Sequence, residues 1–577
     1  MTFFMCTGRR IALPAAVAAA MLTVSHAALA QAIPNIGDAV RESEQSRLNA
    51  PALRPAPVPV LPRLVEPQLA LNDKETIVVR VFHIDGPILV NEADIHAILE
   101  PYENRKLTIA DIYEAADKIT TLYRNAGYLV AKAYVPAQNA RSGSLRIKII
   151  PGKYGQVELK NQSLVRSDYL QGVMDRALGA SPYIQKDPLE RAMLLMSDLA
   201  GGGMPHVTMG SGRQPETSDF VFDVPPAPRV AGYLLGDNYG SPFTGRDRFS
   251  GGLDINSPLG FGDKISAYGL VSDGAKLANY RVAYSVPIGF DGLRAEGAIF
   301  RTTYVLGGIY QGLDATGTAD GVSGTLTYAI KRQRDESVYL AGGFTHKALN
   351  DNIFGISLAN RNMDEGTFSI TRDAISAFAG LPLSTSTTFS VTAGNVDFPD
   401  PLQRLINSLG VNTQGQFEKV NLSFLGTLGL SENWSLTTTF KGQKSFNKKN
   451  LDSSEQMSLT GFYGVRSFDE GLSGDSGYLF TPELKYALPT LGNYRHSLGV
   501  FTDVGGAWIE NPAYTTTQNP FTQLTDVGLG YYSTYEYSQN RFLMLKAQVA
   551  RTYGHVSGAA ATYDQQTKGL VQVGLTF

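Results

Sequence analysis

From Val230 to Phe577 the chain alternates apolar and polar residues in runs of ten or so positions, each run closed by a turn. Val420, Leu422, Phe424 and Leu428 alternate with Asn421, Ser423 and Thr427; after Ser431-Glu432-Asn433, Trp434, Leu436 and Phe440 alternate with Ser435, Thr437, Thr439 and Lys441. A period of two puts the two sets on opposite faces, giving a hairpin with one greasy side and one wet side. The polar faces are rich in hydroxyls and aromatics recur at strand ends, which favours lipid outside and water inside over a soluble sandwich. At about 22 residues per strand and connection, the region from 229 to 577 holds sixteen strands, an antiparallel transmembrane barrel. Its last run sets Val571, Val573, Leu575 and Phe577 against Gln572, Gly574 and Thr576.

Upstream, the period changes to that of a small α+β unit. Ile77, Val79 and Val81 alternate as a strand, Asn91 and Asp94 open a short helix through Leu99, and Thr108 with Asp111 forms a capping box. The longer helix that follows has Ile109, Ile112, Ala116, Ile119 and Tyr123 on its apolar face and stops at Gly127. Strands from Tyr128 to Val135 and from Leu145 to Ile150 complete a module over 73–153. The order recurs over 154–226: a strand at Val157 and Leu159, a helix from Ser167 to Leu178, and a second helix with Asp187 as cap and Pro188 in its first turn. Strands near Val207 and from Phe220 to Val224 follow, and Pro225-Pro226-Ala227-Pro228 marks the boundary.

Ahead of the modules, Ile36, Ala39, Val40, Ser43 and Arg47 fall at helical spacing in a segment, 31–50, too short and polar to hold a helix alone in water. Prolines 51, 55, 57, 59, 62 and 67 make 51–72 a semi-rigid polyproline II spacer. Some seventeen such residues reach ~50 Å, comparable with the height of a barrel. The first thirty residues carry Arg9 and Arg10, an apolar stretch from Ile11 to Val24 and Ala28-Leu29-Ala30, the marks of a cleaved secretory signal. The one cysteine, Cys6, lies within it, so the mature chain forms no disulfide. A net charge of −3 points to no nucleic-acid partner.

The chemistry-bearing stretch is Gly464 to Tyr478, where Arg466 stands beside an aromatic in a run of glycine, serine and acid. It reads as part of a long loop, about 445–477. Some thirty-five residues later, alternation in Phe501 to Trp508 puts Asp503 on one face of a strand and Thr502, Val504 and Gly506 on the other. A carboxylate on the inner wall of a barrel needs water or a cation, and arginine supplies a forked, two-point partner. Arg466 is therefore paired with Asp503. In a wet lumen such a pair with its hydrogen bonds contributes about 1–3 kcal/mol.

Val465-Arg466-Ser467-Phe468 followed by Ser473-Gly474-Asp475-Ser476-Gly477 resembles the loop signature of outer-membrane transporters of the TpsB type, the ShlB/FhaC-like exporters of two-partner secretion and relatives of the BamA-type barrel insertases. Phe501-x-Asp503-x-Gly505 resembles their strand motif, and Ser467 departs from the usual glycine. Tyr123 to Gln138 resembles the first POTRA module of that family, and Asp237 to Arg246 with Asn256 to Asp263 its opening barrel strands. The resemblance implies two periplasmic POTRA-like modules before the barrel, the 31–50 helix as a plug in its lumen, and a terminal phenylalanine serving as assembly signal. It also implies export of a partner exoprotein, an adhesin or haemolysin, across the outer membrane of a Gram-negative bacterium. The partners implied are the unfolded exoprotein, captured by exposed sheet edges of the modules, outer-membrane lipid, and the barrel assembly machinery that inserts the chain itself. The alternative is a barrel assembly factor, whose mark would be a broad client range.

No nucleophile elbow, His-Glu-x-x-His, phosphate loop or dinucleotide fingerprint occurs. Seven scattered histidines give no metal-ligand spacing, so neither catalysis nor a cofactor is expected. Asp469, Glu470 and Asp475 are acids of the kind that bind Ca²⁺, though in a loop they read first as solvated.

Overall fold

The computed structural model describes residues 33–52, 58–62, 76–139, 142–512, 521–554 and 566–577. The expected signal segment and most of the proline-rich spacer lie outside the described residues. A helix, α1 (Ile36–Leu48), precedes two α/β modules. The first contains β1 (Thr76–Val79), β2 (Val81–Asp85), α2 (Glu92–Leu99), β3 (Arg105–Thr108), α3 (Ile109–Asn125), β4 (Lys132–Tyr134) and β5 (Ser144–Ile150). The second contains β6 (Lys153–Asn161), α4 (Ser167–Leu178), α5 (Lys186–Asp198), β7 (His206–Ser211) and β8 (Thr217–Val224).

The two modules share one topology. β2 runs parallel to β5, which pairs antiparallel with β4, and β6 runs parallel to β8, which pairs antiparallel with β7. In the first module Ile112, Ala116, Ile119 and Tyr123 of α3 pack on the sheet with Ile95, Leu107 and Ile147. Thr108 Oγ1 accepts from the Asp111 amide while the Asp111 carboxylate accepts from the Thr108 amide, so two of the orphan donors at the helix start are satisfied together. The single strand expected through Val81 breaks at Arg80, whose amide turns to Gly143 O. The break lets β1 pair with β3 and β2 with β5. The strand expected from Tyr128 keeps only Lys132–Tyr134, because the Tyr128 amide closes the end of α3 on Tyr123 O. Asp187 is not a cap: Gln185 takes that position, and Asp187 and Pro188 sit in the first turn of α5.

Sixteen antiparallel strands close a barrel. They are β9 (Val230–Asp237), β10 (Arg248–Asn256), β11 (Lys264–Ser272), β12 (Leu277–Ile288), β13 (Leu293–Val305), β14 (Thr316–Arg332), β15 (Glu336–Ile353), β16 (Ile356–Phe378), β17 (Leu381–Asp397), β18 (Gly415–Gly429) and β19 (Trp434–Ser445). After two short strands of an inner loop, β20 (Met457–Ser458) and β21 (Ser473–Gly474), come β22 (Ser476–Ala487), β23 (Tyr494–Trp508), β24 (Phe521–Ser538), β25 (Arg541–Thr552) and β26 (Thr567–Thr576). Helix α6 (Pro401–Leu409) lies between β17 and β18. Closure joins β26 to β9 over a short ladder from Gln572 opposite Asp237 to Thr576 opposite Tyr233. Ile299, Phe344, Phe368, Leu529 and Val573 are each more than half exposed on the outer face. In water such a band would be an apolar patch of a size monomers rarely carry; around a closed barrel it has the character of a girdle suited to lipid. Among the described residues no helix is long and apolar enough to cross a membrane.

The second module is seated on the turns at one end of the barrel. Arg191 donates to Asp291 and to Ala329 O, Arg332 makes a two-point pair with Asp198, and Glu190 accepts from the Arg334 amide. Gly172 lets the Phe290 ring approach, since a Cβ there would lie 2.7 Å from it.

The Thr108 hydrogen bonds hold the Asp111 carboxyl below its ordinary range. A depressed carboxyl supports the fold above its unfolded value of about 3.9 and stops doing so as pH falls through the folded value. Thr108→Ala is therefore expected to raise amide exchange in the first turn of α3 about fivefold at neutral pH, with the excess fading in acid. Hydrogen-exchange mass spectrometry on the intact protein reads this directly.

Candidate functional site

The connection between β19 and β22 folds back inside the barrel, and its tip is where the chemistry converges. Arg466 Nε donates to Asp503 Oδ2 at 2.8 Å and Nη2 to Oδ1 at 2.9 Å, a forked pair, and the Arg466 amide adds a third bond to Oδ2 at 3.2 Å. The guanidinium carbon sits 3.5 Å from the centre of the Phe501 ring, two positions along the same strand face. Thr481 donates to Asp503 from the neighbouring strand. Opposite Asp503 in register stands Asp526 of β24, which accepts from the Ser467 amide at 2.7 Å. Ser467 does not adopt positive φ, so a serine here meets no backbone obstacle.

This pair is not a hydrated one. Asp503 and Ser467 are fully buried and Arg466 is 7% exposed, because the loop itself fills the lumen around them. The wet lumen expected around this pair gives way to a dry, protein-lined setting. Removing one partner of a buried pair leaves an uncompensated charge, which costs about 3–5 kcal/mol rather than the fraction typical of surface pairs.

The remaining motif residues make this close approach possible. Val465 and Phe468 pack with Leu459, Leu479, Ala507 and Leu524 in a small apolar cluster beside the ion pair. A Cβ on Gly505 would stand 2.8 Å from Leu459 and 3.0 Å from Val465. On Gly474 it would stand 2.9 Å from Ala507 and Trp508, and on Gly477 2.7 Å from Gly506 O. Asp475 is buried and accepts from the amides of Leu451 and Glu510 and from Gln456, stapling the start and end of the loop to the segment after β23. Asp469 takes a two-point bond from Arg246 and pairs with Lys568. Glu470 is buried as well, so the expectation of solvated acids gives way to paired or enclosed ones.

Further anchors escaped the sequence reading. At the top of the loop Asp452 pairs with Arg361, and Glu455 pairs with Lys347 and Lys419, all three cations rising from lumen-facing positions of the wall. Arg361 also pairs with Asp351, which accepts from the Ile36 amide at the start of α1 and from the Tyr304 hydroxyl. Helix α1 lies within the lumen, with Ile36, Ala39 and Val40 buried among Leu277, Tyr304, Leu349 and Met363. Glu42 on the helix pairs with Arg248, which also holds Asp237. Arg41 donates to Ser453 O, and a Cβ on Gly37 would lie 2.6 Å from the Ser454 amide nitrogen. Helix and loop are thus packed on each other and are linked through the wall pair Asp351–Arg361, the helix bonding Asp351 and the loop bonding Arg361. The inward parity of Lys347, Arg361 and Lys419 was a usable signal; the identity of their partners was not.

A barrel filled by its own loop and helix, with α/β modules in front, is matched by a family model for the haemolysin secretion/activation proteins ShlB/FhaC/HecB over residues 216–532. The chain belongs to this family. A ShlB-type POTRA domain matches residues 77–152. The heme/hemopexin transporter protein HuxB of Haemophilus influenzae (strain 86-028NP) is 25% identical over 533 residues, covering 90% of this chain and 92% of that protein. The outer membrane transporter CdiB of Escherichia coli is 23% identical, covering 82% and 76%. Among solved structures, CdiB from Escherichia coli superposes with a TM-score of 0.70 at 18% identity, covering 95% of this chain and 100% of that one. CdiB from Acinetobacter baumannii gives 0.61 at 14%, covering 99% and 100%; at these identities the likeness speaks for the fold. The protein is an outer-membrane exporter of two-partner secretion with its POTRA region in the periplasm, a transporter in kind.

Gly505→Val in this exporter is expected to push Leu459 and Val465 aside and loosen the loop tip by about 1–3 kcal/mol. With Cys6 the sole cysteine of the sequence, a cysteine in place of Ser467 serves as reporter. Maleimide labels it in the Gly505→Val background and leaves it unlabelled in the parent.

Proposed function

We propose that the loop and α1 together form the resting seal of the conduit, and that the Arg466–Asp503 pair sets where the loop returns after each passage. The observation that carries this is the burial of that pair at the loop tip, while the other end of the loop is tied to the helix through the wall pair Arg361–Asp351. In this reading the periplasmic modules capture the unfolded N-terminal part of a client through a free sheet edge, where backbone donors and acceptors recruit an extended chain whatever its side chains. β2 and β4 border one sheet, β6 and β7 the other. The helix then withdraws, the loop shifts, and an extended chain threads the lumen. Folding of the client outside makes return unfavourable and supplies the free energy.

The client class is a large exoprotein of the adhesin or haemolysin kind, in line with relatives named for heme/hemopexin and hemolysin transport. Lipid contacts the outer girdle, and Phe577 at the end of an alternating strand serves recognition by the barrel assembly machinery. Relatives named as transporters favour this over a barrel assembly factor.

Arg466→Ala is the deciding experiment. It is expected to cut client release strongly while heat-modifiable migration of the barrel stays near normal; full release by this variant removes the pair from the mechanism. A second variant addresses the helix. Gly37→Val places atoms where Ser453 and Ser454 now lie, so the helix is expected to dissociate more often and single-channel conductance in planar bilayers to rise; unchanged conductance would separate the helix from the seal.

A further inference from the structure

Helix α6 is built inside out. Its polar residues turn inward: Gln403 accepts from the Asn360 amide and donates to Ser357 O, Arg404 donates twice to Phe398 O, and Asn407 accepts from the amides of Thr413 and Gln414. Its apolar residues face out. Leu402, Leu405, Ile406 and Leu409 are 55%, 54%, 47% and 76% exposed, and none of the helix is buried. Nine residues do not sustain a helix in water; the Asp400 cap, Pro401 at the first turn and the inward bonds hold it rigid. Phe354 and Ile356, on the hairpin that Gln403 grips, extend the apolar exposure.

Lipid is a poor occupant. On β17 the outward apolar face ends at Val391, and the next outward positions are Ala393, Asn395 and Asp397; on β18 the positions beside them are Glu418 and Gln416. Six residues of strand separate the end of the girdle from the start of the helix loop, about 20 Å along the strand at the usual rise and about 15 Å in height at the usual tilt of a barrel strand. The patch therefore stands clear of the membrane, at the end of the barrel opposite the POTRA modules. It also stands at the mouth of the conduit. Lys449 donates to Asn412 O and Gln414 O, and Asn450 to Val411 O, so the segment leaving α6 is fastened to the loop that fills the lumen.

We propose that this apolar face is an exit dock for the exported polypeptide, which emerges beside it unfolded, with its own apolar side chains uncovered. Resting on the export reading, it places an extracellular holding site where the first emerged segment can stay while the rest of the chain follows. The dock is continuous with the conduit, rigid before the client arrives, and too far from the hydrocarbon to be satisfied by lipid.

The test uses the full-length exporter in its own cells, with a photo-crosslinking phenylalanine derivative in place of Leu405 or, separately, of lumen-facing Thr439. The expected result is one and the same adduct from both positions, identified by mass spectrometry as a polypeptide also found in the medium. In parallel, the triple variant Leu402→Ser, Leu405→Ser, Leu409→Ser is expected to lower release several-fold with barrel assembly unchanged. An adduct at Leu405 that holds only a second copy of the exporter or lipopolysaccharide, no adduct there, or unchanged release by the triple variant overturns the dock. Capture at Thr439 without capture at Leu405 leaves export standing, whereas failure at both positions sinks the export reading too.

Discussion

A guanidinium enclosed by protein must have its charge answered, and everything in this lumen is arranged around that requirement. Arg466 can sit at the loop tip because Asp503 offers both oxygens and Phe501 offers its ring face. Those partners are available only where β23 presents them, so the loop has one position in which its charge is satisfied. A purely apolar loop could fill the same space, yet it would slide. Charge supplies register.

The same logic recurs along the loop and the helix. Asp452, Glu455 and Asp469 each meet cations of the wall, and Glu42 meets Arg248. The pairs of Asp452, Glu455 and Glu42 are buried, hence each is costly to break singly, whereas Asp469 keeps part of its hydration. Charged partners exchanged for water recover hydration, which offsets much of that cost. A filling made of ion pairs can accordingly be tight when dry and removable when wet, a combination that hydrophobic packing does not offer.

Much of the architecture was legible because alternation at period two is a local property: the hairpin of Val420 to Lys441 announces both its faces before any fold is known. The site was legible only in part. Arg466 and Asp503 could be paired because an inward carboxylate calls for a cation and both residues stand in motifs that resemble those of one family, while Asp452 with Arg361 and Glu455 with Lys347 lie 91 and 108 positions apart and carry no such mark. Parity tells which residues face inward, not whether water or protein meets them there. For the same reason Asp469, Glu470 and Asp475 read as solvated, and Asp526, the acceptor of the Ser467 amide, went unseen. The break at Arg80 was hidden differently, since Ile77 to Val81 alternates without interruption and only tertiary pairing divides it.

The closing ladder carries a consequence for how the barrel closes. Asn238 and Val571, which bond across the seam, lie 333 positions apart. However the intervening hairpins form, β9 stays unpaired on one side until β26 reaches it. Long-range pairing of this kind is slow, and an unmatched strand edge invites the wrong neighbour in the meantime. The barrel is thus a fold that cannot commit early: its unclosed form needs something to occupy the waiting edge of β9, and the pairing of the last strand completes the whole.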